Sequence, residues 1–417
     1  MKKSIIYFTM LLLTACASKE VQQSAGFVTL QGVDLIQPNG EKLFIQGTNL
    51  GNWLNPEGYM FGFSRTNSAW MIDLLFKEAV GPDATADFWQ QFKDNYVTKA
   101  DIDFIAQQGA NTIRLPFNYK LFTDEDYMGQ TGQKDGYERI DSVVSWCRAN
   151  HLYLILDMHD CPGGQTGDNI DDGYGYPWIY ESEPSQQLFC NIWREIADRY
   201  KNETTILGYE LMNEPIAHYF ENKDSLYTML QPLYKRCVKA IREVDQNHII
   251  LLGGAHWNSF FFMFDDWKFD QKIMYTCHRY GGEATKEAIK DYIEFRDKTQ
   301  LPMYMGEFGH NTDEWQRQMV QVLKEANIGY TFWPYKKVVS TGLQVDGSCM
   351  NGIQRPEGWD SIVVKYSETS RNTYQEWREA RPDQPTFRRL LSEFAENCKF
   401  QHCKPQTDYI QTMGLQK

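Results

Sequence analysis

The 417-residue chain has no lysine- or arginine-rich run after residue 3, and its formal net charge is −13. An acidic chain without a basic patch lacks the counter-charge that phosphates require, which excludes nucleic acid as a partner class. No C-x-x-C pair occurs among the nine cysteines, so the ligand spacing of a structural zinc site is missing. No G-x-G-x-x-G follows the first apolar run, "KLFIQGTNLG", and a dinucleotide fold thereby loses its fingerprint. The same run holds no histidine, so the H-x-H cluster of a metal-dependent barrel hydrolase is absent too. Neither a metal nor a cofactor is expected.

What is present begins with "MKKSIIYFTMLLLTAC": two lysines, an apolar stretch, then small residues before Cys16. That is the layout of an export signal, too short to span a membrane as a mature helix. Its end resembles a bacterial lipobox, which implies cleavage after residue 15 and a lipid on Cys16; an ordinary signal with an incidental cysteine is the alternative. Residues 16–26, including "SKEVQQSAG", then read as a tether. The expectation is an exported lipoprotein of the outer membrane, facing the cell surface or the periplasm, held by its lipid anchor alone. Export permits disulfides among the other eight cysteines, whose pairing the spacing leaves open. Cys147 and Cys237 lie in helical patterns and Cys277 in a strand, and most are expected to be small buried residues.

Apolar residues make up 42% of the chain, enough for a large core. Eight short apolar runs recur: 42–51, 111–117, 152–159, 206–215, 248–254, 273–280, 302–309 and 328–337. Several are apolar almost throughout, as strands buried on both faces should be. Amphipathic patterns separate most of them; Tyr137, Ile140, Val143, Val144 and Cys147 share one helical face. Eight alternations of strand and helix predict a closed (β/α)8 TIM barrel over residues 27–417, in one domain. Residues 338–417 read as a long loop and a closing helix. Asn49, Arg114, His159, Glu214, His278, Glu307 and Trp333 all fall at C-terminal strand ends, the end that carries chemistry in this architecture.

Two of these are carboxylates. Glu214 closes "GYELMNEP" and Glu307 closes "PMYMGEF", on strands that lie nearly across a barrel of eight. A pair about 5–5.5 Å apart is the arrangement of retaining glycoside hydrolysis. Arg114 would keep one ionised, and the other, facing that negative charge, would keep its proton. Glu210, four residues before Glu214, is expected roughly 13 Å lower, in the barrel's interior or base. Pro215 is expected to end the fourth strand.

"NTIRLPF", "DMH", "MNEP", "HRY", "GEFG" and "FWPYKK", in this order at successive strand ends, resemble glycoside hydrolase family 5 over nearly the whole exported chain. The resemblance implies that Glu214 is the acid/base and Glu307 the nucleophile. It implies that Asn213 bonds the 2-hydroxyl of the attacked sugar, that Arg114 and Tyr280 orient Glu307, that His159 and His278 contact sugar or carboxylate, and that Trp333 floors the sugar ring.

"GTNLGNWLNPEGY" and "HDCPGGQTGDNIDDGYGYPW" further resemble loops of the exo-β-1,3-glucanase branch, in which the glutamate matching Glu57 binds the terminal glucose. Asn49 opens the first loop and is counted with the substrate-binding residues. Asn55 and Pro56 depart from that branch, as does Phe308 after Glu307. The expectation is a monomeric retaining β-glycosidase acting on a β-glucan polysaccharide or oligosaccharide, with exo-β-1,3 action. An endo-β-1,4-glucanase or other endo-glycanase is the alternative, and a non-catalytic glycan-binding lipoprotein the outlier.

Overall fold

Strands of nearly unbroken apolar character have no solvent face, so they are stable only in a sheet covered on both sides. The computed structural model, which describes residues 26–130, 134–172, 174–339 and 349–415, meets that need by closing the sheet. Its barrel strands are β1 (Gln46–Asn49), β2 (Thr112–Asn118), β3 (Tyr153–Asp160), β4 (Ile206–Glu210), β5 (Ile249–Gly253), β6 (Ile273–Arg279), β7 (Met303–Phe308) and β8 (Gly329–Phe332). They pair in parallel in chain order, and β8 pairs back onto β1. The (β/α)8 barrel is the fold.

Alternation along each strand sorts the side chains. On β3, Leu154, Leu156 and Met158 face the helices, while Ile155 belongs to a separate interior cluster. That interior cluster joins Ile45, Ile155, Leu207, Ile249, Leu251, Met274 and Tyr304 to Val28, Leu35 and Leu43. Leu35 and Leu43 lie in, and Val28 just before, a small antiparallel sheet of Thr29–Gln31, Asp34–Ile36 and Lys42–Leu43, which plugs the N-terminal end of the barrel. Apolar packing below and a polar layer above give the barrel two unlike ends.

Several boundaries differ from those expected. The run 42–51 splits, because Lys42 and Leu43 serve the plug and only Gln46–Asn49 enters the barrel. Strand β4 stops at Glu210, four residues before Glu214, so Pro215 does not end it. The chain turns instead through left-handed backbone at Glu214 (φ 45°) and Ile216 (φ 51°). The run 328–337 also divides: Lys336–Val339 leaves the barrel to pair with Asn351–Gln354, which pairs with Lys404–Pro405.

Between β1 and β2 stand three helices, Ala69–Val80, Pro82–Tyr96 and Lys99–Gln107. The second packs on the later helix Gln384–Asn397, with Phe88 against Phe394. Residues 338–417 therefore hold more than a loop and one helix. The eight described cysteines are all buried and unpaired. No helix of the described residues is long and apolar enough to cross a membrane. Cys16, the signal and most of the tether lie outside the described residues.

Candidate active site

A guanidinium has five donors in one plane and can bind several carboxylates only where strands converge. Arg114, fully buried on β2, fills the barrel in this way. Its Nε and Nη2 donate to Glu210 Oε2 and Oε1 at 2.9 and 2.7 Å. Nη1 donates to Glu307 Oε1 at 2.6 Å and to Asn49 Oδ1 at 2.9 Å. Nη2 also donates to Asn213 Oδ1 at 2.8 Å and lies 3.1 Å from Asp157 Oδ2. Glu210 thus lies inside the barrel but is no bystander, because one arginine reaches it and Glu307 together. Tyr304 donates to Glu210 Oε2 at 2.6 Å and completes that support.

A bulge delivers Glu307. The β6–β7 register shifts between Met305 and Glu307, which puts Glu307 beside His278. Gly306 is the extra residue; a Cβ there would lie 2.4 Å from Thr276 Oγ1 and 2.9 Å from His278 Nε2, so only glycine fits. Thr331 Oγ1 and Asn49 Nδ2 donate to the Gly306 carbonyl at 2.6 and 3.0 Å. Asn49 Nδ2 also donates to Phe332 O at 3.1 Å. With its Oδ1 held by Arg114, Asn49 braces the bulge. Phe308, the departure after Glu307, packs outward against Tyr330.

The second oxygen of Glu307 accepts from Tyr280 OH at 2.6 Å. Both oxygens therefore have strong donors, which fix the orientation of the carboxyl. Glu214 is held differently. His278 Nδ1 lies 2.7 Å from its Oε1 and 3.6 Å from Glu307 Oε2. One oxygen of each glutamate and a ring nitrogen of His278 all lie within 4.8 Å of one another. Burial raises the Glu214 pKa to about 8; Arg114 opposes the rise, while Asp168 and Glu210 add to it. The proton is thus kept mainly by burial, not by the facing charge of Glu307. Burial also lowers the pKa values of His159 and His278 to about 4, so both imidazoles are neutral at neutral pH.

Around the pair, His159 Nδ1 meets Asp157 Oδ2 at 2.7 Å, so its carboxylate partner is neither member of the pair. Burial, opposed by Arg114, lifts the Asp157 pKa to about 7. The His159 ring stacks on Trp333 at 5.3 Å with 5° between planes, and Trp333 Nε1 donates to Tyr59 OH at 2.7 Å. Glu57 is 5% exposed, and its carboxyl makes no hydrogen bond among the described residues. Burial raises its pKa well above the ordinary value, helped by Glu307, Glu214 and Asp168. Asn55, a departure from the expected pattern, accepts from Asn118 Nδ2 at 3.2 Å and donates to Ile170 O at 3.2 Å. Its polarity joins the first loop to the third.

Three supports carried no periodic signal. Gln165 Nε2 donates to the carbonyls of His159 and Asn213, both at 2.8 Å. Thr166 Oγ1 donates to the Glu214 carbonyl at 2.6 Å. Asp171 Oδ2 caps the Thr166 and Gly167 amides at 2.8 and 2.5 Å. The loop after β3 thus fixes the backbone of Asn213 and Glu214, which β4 no longer does.

Residues 77–337 match the family model for cellulase, glycosyl hydrolase family 5. A β-xylosidase of Phanerodontia chrysosporium is 27% identical over 356 residues, 76% of this chain and 72% of that one. Endoglucanase C of Acetivibrio thermocellus is 28% identical over 312 residues, 60% of this chain and 87% of that one. A glucan 1,3-β-glucosidase of Kluyveromyces lactis is 26% identical over 239 residues, 53% of each chain. A barrel with paired glutamates at its C-terminal mouth, matched over most of its length by that model, leaves one placement: the chain belongs to glycoside hydrolase family 5 and is a retaining β-glycoside hydrolase.

Proposed function

We propose that Glu307 is the nucleophile and Glu214 the acid/base of a double displacement on β-glucan. One observation carries the assignment: the two carboxyls share a site yet have unlike surroundings, paired donors on Glu307 and a burial-raised pKa on Glu214. Glu307 has Arg114 on one oxygen and Tyr280 on the other, which hold it in place for attack at the anomeric carbon. Glu214, with its pKa raised to about 8, brings a proton to the leaving oxygen. Once the glycosyl group is on Glu307, Glu214 is ionised and takes a proton from the incoming water. Asn213 Nδ2 is not used by Arg114 and is offered to the 2-hydroxyl. His159 and Trp333 form the wall and floor under the ring, Trp333 by stacking on its apolar face.

For the substrate, we favour release of glucose from the non-reducing end of a β-1,3-glucan. The support is Glu57: a nearly buried carboxyl beside both catalytic glutamates, without a protein partner among the described residues, suits the hydroxyls of a terminal sugar. The glucan 1,3-β-glucosidase relative agrees with it. The endoglucanase relative favours a second reading, endo-β-1,4 cleavage in an open cleft. A time course on laminarin, lichenan, carboxymethyl-cellulose, glucomannan and xyloglucan separates them. Glucose alone from laminarin at the earliest times supports the first; a ladder of oligosaccharides from another polymer supports the second.

The proposal also places a monomeric enzyme at the outer membrane, on a lipid at Cys16. Cys16→Ser should release the protein from membranes, and continued acylation with membrane retention contradicts the anchor.

A further inference from the structure

Past β5 the chain makes a left-handed turn out of residues that rarely form one. His256 (φ 52°), Trp257 (φ 53°) and Asn258 (φ 58°) follow one another. A single asparagine in this region is common, but a tryptophan is an outlier and three in a row are rarer still. Such backbone persists only where the surroundings over-determine it. Here His256 N donates to the Ile216 carbonyl at 2.9 Å, which ties the turn to the segment that carries Glu214. The turn drives Asn258 into the barrel, where it is fully buried. Gly253 makes the room, since a Cβ there would lie 2.0 Å from Asn258 Oδ1.

Asn258 Nδ2 faces His278 Nε2 at 3.1 Å, and Oδ1 has no partner among the described residues. As placed, the amide pairs one N–H and leaves the other N–H and the carbonyl oxygen unmet. Turned over it would leave both N–H donors unmet, and an orphaned buried N–H is rarer than an under-satisfied carbonyl. With an amide N–H pointing at it, Nε2 of His278 must be an acceptor. A neutral imidazole then carries its one proton on Nδ1, which faces Glu214 Oε1 at 2.7 Å. Oε1 is thereby occupied as an acceptor, and a proton on Glu214 has to sit on Oε2.

We propose that Asn258 is a positioning residue that selects the Nδ1–H tautomer of His278 and so keeps the acid proton of Glu214 on Oε2, the oxygen left free for the leaving group. The inference rests on the reading of Glu214 as the acid/base. Other groups also face this pair: Glu307, Arg114, Glu210 and His159 bear on His278, and Arg114, Asp168 and Glu210 on Glu214, with Glu57 and Asp157 coupled to it. All are unchanged in a substitution at 258, which isolates the amide.

Asn258→Asp is the sharpest test, because it keeps the shape and turns the donor into an acceptor. His278 then gains a proton on Nε2. Either Nδ1 is bare and draws the Glu214 proton onto Oε1, or the ring becomes cationic and lowers the Glu214 pKa. On an oligosaccharide, kcat/KM should fall by about 30-fold or more, within the usual weight of a general acid. On a dinitrophenyl glycoside, which needs no proton, it should change by less than about threefold. With ¹⁵N-histidine, the wild type should show His278 protonated at Nδ1 and bare at Nε2, and Asn258→Asp should show Nε2 protonated. Asn258→Ala, which removes the amide without adding charge, should lose the oligosaccharide selectively but less deeply, and it stands in should the aspartate variant not fold. Equal losses on both substrates, or a wild-type His278 protonated at Nε2, overturn the proposal. The nitrogen shifts judge the link between Asn258 and His278 alone. Failure of the aryl glycoside to rescue Glu214→Gln would instead remove Glu214 as the acid.

Discussion

At the scale of single residues, burial sets Glu214 apart by raising its pKa, and Glu307 is set apart by donors on both oxygens. Glu307→Gln removes the proposed nucleophile and almost no volume, so turnover should fall on the order of 10⁴-fold or more while substrate still binds. Glu214→Gln should cost about 10²- to 10⁴-fold on natural glycans and far less on a dinitrophenyl glycoside. Steady-state kinetics on both substrates check the pair. In the wild type, activity on natural glycans should decline as pH rises through about 8, where Glu214 loses its proton.

The same group leaves a mark on stability, and the sign follows from which state holds more protons. The Glu214 pKa rises from 4.5 to about 8 on folding, so between those values the folded protein keeps a proton that the unfolded chain has released. Stability from this group therefore falls as pH rises across that window. Urea midpoints of Glu214→Gln should drop less between pH 5 and 8 than those of the wild type. His159 and His278 act in the opposite sense. Their pKa values fall from 6.5 to about 4, so what they contribute is lost as pH falls from 6.5 through 4.

At the scale of elements, strands deliver some of the site and loops hold the rest. Arg114, His159, His278 and Glu307 stand on β2, β3, β6 and β7, whereas Asn213 and Glu214 lie beyond the end of β4 and depend on Gln165 and Thr166. Gln165→Ala leaves two buried carbonyls and the Cys161 amide short of partners. It should destabilise by about 1–3 kcal/mol and lower kcat more than it raises KM, as denaturation and kinetics will show. This division also explains what could be read before the fold was known. Buried parallel strands must be apolar almost throughout, so all eight were legible, as were the polar residues that interrupt their ends. The bulge at Gly306, the turn at Asn258 and the roles of Gln165 and Thr331 were not, because polar residues in loops and bulges repeat with no period. The split of 42–51 between plug and barrel was hidden for a related reason: Lys42–Leu43 and Gln46–Asn49 are both extended and only two residues apart, and only tertiary contact tells them apart.

At the scale of the molecule, the two ends of the barrel have separate duties. The N-terminal sheet covers an apolar floor, and the polar layer around Arg114 lies above it. Leu35→Ala, in the plug, should cost about 2–4 kcal/mol of stability and leave KM unchanged, whereas Glu307→Gln at the mouth should abolish turnover. The helices between β1 and β2 and the sheet after β8 add mass outside the eightfold pattern, and their strands and helices were not foreseen as a group.

The most direct test of the central claim is to trap the covalent intermediate. The enzyme would be incubated with a 2-deoxy-2-fluoro glycoside carrying a dinitrophenolate leaving group, then digested and mapped by mass spectrometry. The account predicts one glycosyl adduct, on Glu307, formed in the wild type and absent from Glu307→Gln. An adduct on Glu214 or any other residue, or hydrolysis with inversion and no adduct, would contradict it.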